Sequence, residues 1–125
     1  MRVSIPVLEQ EYTDNGIVSR EKDVCFDIDT SVYSEERWEQ NFPDLAAREG
    51  LFQYAERIQN NSVSDRVRVS CMLKAIYCFL ESDACPTYKS FAQLFNLAVP
   101  EYTERLITRL KQVFQAILGG SSVKN

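Results

Sequence analysis

Asp14-Asn15-Gly16 breaks two stretches of extended character, and Asn-Gly readily supplies the positive φ angles of a tight hairpin turn. Before it, Val3, Ile5 and Val7 alternate with Arg2, Ser4 and Pro6, the period of a half-buried strand. Pro6 cannot donate to a ladder, which predicts a strand at an edge or with a bulge. After the turn, a run from Val24 to Ile28 sets Val24, Phe26 and Ile28 against Asp23, Cys25, Asp27 and Asp29. Residues 1–29 therefore read as a β-hairpin or extended arm. A lone two-stranded hairpin is marginal in water. It must pack on helices or pair with another copy.

From Asp29-Thr30-Ser31, which offers N-caps, the period changes to that of a helix. Val32 to Phe42 forms the first run, with Trp38 and Phe42 stacked four apart, and Pro43 stops it. A short turn over residues 43–48 ends at Gly50. Leu51 to Ile58 follows, with Leu51, Tyr54, Ala55 and Ile58 in one stripe. Asn60-Asn61-Ser62 is a linker. Ser64-Asp65 caps a broad apolar helix to about Leu80. Residues 81–86 form a loop. Thr87 caps a short helix over residues 88–95, and Pro100 opens a last helix from Glu101 to about Leu118. The predicted fold is mainly α, a small helical bundle of five to six helices with an N-terminal β-hairpin. It is one domain, 1–119, with the bundle over 30–119, and residues 120–125 form a mobile C-terminal tail.

Composition narrows the chemistry. The 125 residues are 45% hydrophobic and 26% charged, enough for one domain with a real core. The chain has no histidine. That excludes Ser-His-Asp and Cys-His catalysis, His-ligated zinc and a histidine pH switch. The cysteines, Cys25, Cys71, Cys78 and Cys85, form no Cys-x-x-Cys pair and read as small core residues in a reducing compartment. Asp23, Asp27 and Asp29 could hold a hard cation, but no glycine-kinked loop surrounds them, and a solvated edge is the simpler reading. Glycine-rich phosphate loops and nucleophile elbows are missing from the sequence. An enzyme, a cofactor and a metal are therefore not expected. No apolar run reaches membrane-spanning or signal-peptide length, which predicts a cytoplasmic protein.

Charge is uneven. Residues 1–64 carry 6 Lys/Arg against 13 Asp/Glu, net −7, and residues 65–125 carry 8 against 5, net +3. This polarity suits head-to-tail self-contact, a basic partner, or plain solubility. The negative total disfavours nonspecific nucleic-acid binding. One segment, residues 90–109, nevertheless resembles a helix-turn-helix. Ala92 stands at the crossing, Asn96 at the left-handed turn position, and Leu97 and Leu106 at apolar positions. The would-be reading helix opens Val99-Pro100-Glu101 and carries Glu104, against base contact, although Arg105, Arg109 and Lys111 restore some positive charge. A plain two-helix corner fits the same residues.

Two groups are candidate partner contacts. The last helix has more apolar surface than one core contact needs, with Ile107, Leu110, Phe114 and Ile117 foremost. That suits an oligomer, a partner groove or burial in the core. Trp38 and Phe42 belong to an aromatic cluster with Tyr33, Phe52 and Tyr54, and an exposed Trp38 would anchor a binding patch.

The stretch Phe26-Asp27-Ile28-Asp29-Thr30-Ser31-Val32-Tyr33-Ser34-Glu35-Glu36-Arg37-Trp38-Glu39-Gln40-Asn41-Phe42-Pro43, continued by Leu45-Ala46 and by Leu51 to Ile58, resembles the tail assembly chaperones of long-tailed bacteriophages. In that family a strand-forming start leads into a helix with an aromatic, acid-rich element ending Phe-Pro, followed by helices. The resemblance spans about residues 24–80. It implies a non-enzymatic protein that keeps the tape measure protein soluble, helps recruit the tail tube protein, and self-associates. It supplies no catalytic residue. Candidate contacts under it are Trp38, Phe42, Ile107, Leu110, Phe114 and Ile117. The family also often makes a longer product by ribosomal slippage, and Val123-Lys124-Asn125 permits a suitable adenine-rich coding.

Overall fold

A computed structural model of the chain describes residues 1–59, 63–81 and 85–119. Strands β1 (Arg2–Thr13) and β2 (Gly16–Asp27) form an antiparallel hairpin. Six helices follow: α1 (Val32–Asn41), α2 (Pro43–Ala46), α3 (Leu51–Gln59), α4 (Asp65–Phe79), α5 (Tyr88–Ala92) and α6 (Pro100–Gly119). The linker at residues 60–62, part of the expected 81–86 loop and the tail at 120–125 lie outside the described residues.

The second strand, twelve residues, is more than twice as long as the run from Val24 to Ile28 that alternation suggested. The hairpin register runs unbroken from Arg2↔Asp27 to Thr13↔Gly16, with no bulge at Pro6. At the turn only Gly16 has positive φ, at 118°; Asn15 does not. The root is built into the core. Val3, Ile5, Val7, Leu8, Phe26 and Ile28 are buried together with the helical side chains. The molecule is thus a small α-plus-β protein, in which the hairpin supplies part of the one core.

Pro6 is accommodated by strand polarity. On β1 the backbone of Ser4, Pro6 and Leu8 turns away from β2. Ser4 O accepts from Arg109 Nε at 2.7 Å, Pro6 O from the Tyr102 hydroxyl at 2.8 Å, and Leu8 N donates to Leu94 O at 3.2 Å. A residue whose N–H faces outward loses no ladder bond when it is proline. Helix α6 and the segment after α5 thus close the outer edge of β1.

The helices end as their local chemistry demands. Ser31 caps α1 by accepting from Tyr33 N, and Phe42 closes it before Pro43 opens α2. Ser64 caps α4. Thr87 and Ser90 form a reciprocal capping box on α5. Gly50 does not terminate α2 with a left-handed residue. Instead Leu51 N donates to Glu35 Oε1 at 2.9 Å, so α1 caps α3 across space. The root of β2 is tied to the end of α4: Asp29 N donates to Phe79 O and Glu81 N to Asp27 O.

Candidate functional site

The expected contact residues are placed mostly in the interior. Trp38 is fully buried, its ring 4.7 Å from Tyr54 and 5.6 Å from Phe42, and its Nε1 donates to Glu49 O at 3.0 Å. Phe42 is half-buried and also packs edge-on to Tyr88. Ile107, Leu110, Phe114 and Ile117 all belong to the core. The surplus apolar surface of α6 has a simple cause. This helix packs on β1 along one side and on α3 and α4 along another, so two stripes are covered rather than one. Of the candidate contacts only Phe42 is left half-buried; the others lie in the core and hold the fold together.

The helix-turn-helix resemblance meets a different geometry. Helix α5 ends at Ala92 and α6 begins at Pro100, so a seven-residue connection, 93–99, replaces a tight turn. Asn96 is not left-handed. Its Oδ1 accepts from Ala98 N at 2.9 Å and its Nδ2 donates to Gln10 Oε1 at 2.9 Å. Arg105 and Arg109 of α6 face the hairpin. Arg105 forks onto the Glu21 carboxylate, at 2.6 Å from Nη2, and Arg109 reaches Ser4 O and Gln112.

Of the cysteines, Cys78 is buried, Cys71 and Cys85 are half-buried, and Cys25 is exposed on β2, which corrects its assignment to the core. Burial pushes the Cys78 thiol up to about 12. The Asp29 carboxyl is held below the ordinary range by hydrogen bonding to Ser31, through the Ser31 side chain first and through Ser31 N, which donates to Oδ1 at 2.8 Å, second. Asp27 pairs with Arg2 at 3.1 Å. Among the described residues no group of three or more His, Cys, Asp or Glu could hold a metal ion, and no helix is long and apolar enough to cross a membrane.

What the sequence reading missed lies at the other end of the hairpin. From Glu11 to Asp23 every residue is exposed. Tyr12 is 82% exposed and Ile17 57%, and as direct cross-strand partners they form one apolar pair on one face. Val18, opposite Glu11, stands on the other face. Lys22 and Glu9 pair at 2.6 Å nearer the root. Shallow grooves flank the hairpin, one of about 540 Å³ towards Arg105 and Arg109, the other of about 670 Å³ between Val7, Val24 and Leu94. The signal for this arm was present: apolar Tyr12 and Ile17-Val18 bracket the turn. It does not read as strand because the residues between Val18 and Val24 are polar or charged on both faces.

Comparison with protein-family models, with curated proteins and with solved structures finds no match to this chain.

Proposed function

We propose that this protein is a non-enzymatic tail assembly chaperone of a long-tailed phage or prophage, acting in the host cytoplasm to keep a tape measure protein soluble and to bring it to tail tube subunits. The family resemblance over residues 24–80 supplies the identity of the client. The observation that carries a binding role is the distal hairpin, an arm that leaves the core and exposes Tyr12, Ile17 and Val18. Exposed apolar side chains grouped on a projecting element suit transient cover of a long apolar client. The client surface is accordingly assigned to the arm rather than to α6, whose apolar residues are used internally.

The test is co-expression of the chain with a tape measure protein of a long-tailed phage. The double substitution Tyr12→Ser and Ile17→Ser should reduce soluble client recovered with the chaperone and leave the melting temperature nearly unchanged. Both side chains already face solvent, and exposed positions contribute within about 0.5 kcal/mol. Full client solubilisation by that variant would refute the assignment of the client surface.

A further inference from the structure

We propose that the outer edge of β2 is a self-recognition edge, at which two copies of this chain pair antiparallel, centred on Ser19, into one continuous four-stranded sheet. This goes beyond the client reading and does not depend on it.

The two edges of the hairpin are treated differently. The β1 edge is closed by Arg109, Tyr102 and Leu94. Opposite residues of an antiparallel pair share their hydrogen-bonding direction. Because Ser4, Pro6 and Leu8 turn outward, so do their partners Cys25, Asp23 and Glu21, and the alternation continues to Ser19 and Ile17. Asp27 obeys the same parity, its outward carbonyl accepting from Glu81 N at 2.8 Å. From Ile17 to Asp23 the outward N–H and C=O groups meet no backbone partner among the described residues. This edge has no proline or bulge; of the usual guards against strand addition it carries only charge, in Arg20-Glu21-Lys22-Asp23, and that run mixes both signs. From Glu11 to Asp23 every residue of the hairpin is exposed, with no helix burying either face among the described residues, and a two-stranded ribbon by itself is marginal.

The charge sequence selects the occupant. A two-fold axis normal to the sheet keeps each residue on its own face, so the register must be centred on a residue. Centring on Arg20, Glu21, Lys22 or Asp23 sets that charge against its own copy, which is destabilising. Centring on Ser19 opposes no like charges. Val18 lies beside the stem of the partner's Arg20, and Ile17 lies beside the partner's Glu21. The charge of each Glu21 is already met within its own chain by Arg105. Centring closer to the turn shortens the paired segment. Strand β2 is therefore complementary to itself in one register of useful length, and this pairing leaves the two faces of the arm open.

The experiment uses the full chain. Wild-type protein is followed by sedimentation across a concentration series beside Ser19→Pro. Ser19 directs its N–H outward, so proline there spares the β1–β2 ladder, as Pro6 does on β1. Ser19→Pro should weaken dimerisation by about tenfold or more while the melting temperature holds in dilute, monomeric protein. In a Cys25→Ser background, Ser19→Cys should form an intermolecular disulfide under mild oxidation, because paired Cα atoms lie about 5.5 Å apart. Glu21→Cys, displaced four residues from its own copy, should not. Should Ser19→Pro fail to fold, the two cysteine variants decide by themselves. A wild-type chain that stays monomeric at every attainable concentration, association indifferent to Ser19→Pro, or crosslinking through position 21 rather than 19 overturns the proposal.

Discussion

Individual side chains in this molecule are informative where a backbone angle or a proton is at stake. Gly16 holds φ at 118°, and a Cβ built there meets nothing within 4 Å. Its role is therefore conformational, not steric. Gly16→Ala should cost about 1–2 kcal/mol through the disfavoured backbone region alone. Because the turn opens without disrupting the core, that loss should be read as faster exchange of the amides around it, with the melting temperature nearly unchanged. Cys78 concerns a proton. Burial raises its thiol to about 12, whereas an unfolded chain releases that proton near 9. The folded form thus binds more protons at alkaline pH, and stability falls as pH climbs from about 9 towards about 12. Burial raises the Tyr54 and Tyr102 phenols in the same direction. Urea midpoints taken across that range should decline, and the decline should be shallower in Cys78→Ala. Side chains also show where sequence patterns mislead. Asn96 has the composition of a left-handed turn residue, yet its amide accepts from Ala98 N and donates to Gln10, satisfying the local backbone without positive φ.

At the level of elements, boundaries were legible wherever a cap or a proline set them. Ser31, Pro43, Ser64, Thr87 and Pro100 each fall at the helix ends the sequence suggested. The cap on α3 was invisible because its donor pairs with a side chain from another helix. Glu35 on α1 accepts from Leu51 N, sixteen residues away. Glu35→Ala should cost about 0.5–2 kcal/mol, the range of a lost helix cap, measured by chemical denaturation. Glu35→Gln keeps an oxygen acceptor and should recover part of that loss. Strand β2 was read too short for a related reason: its distal half has no buried face, so alternation carries no hydrophobic signal. Amide exchange should expose this division within a single hairpin. The Leu8 amide, bonded to Leu94 O beneath a buried side chain, should exchange slowly. The amides around the turn should exchange orders of magnitude faster in dilute protein, because their opening needs no disruption of the core.

For the molecule as a whole, the apolar periodicities located the core residues but not their neighbours. Leu51, Tyr54, Ala55 and Ile58 occupy the buried side of α3 as their spacing indicates. The stripes on α6 were equally readable. Whether they met this chain or another was not, because periodicity reports the width of an apolar face and never its partner. The fold answers by placing α6 between the hairpin and the helices α3 and α4. The same helix fixes a direction. It starts beside the middle of β1, where Tyr102 meets Pro6, and reaches Ser4 by Arg109. Gly119 follows ten residues later, about 15 Å further along the axis. Cargo fused after α6, whether a reporter or a translated extension, would trail from the pole opposite the turn, and the arm's tip would remain unobstructed.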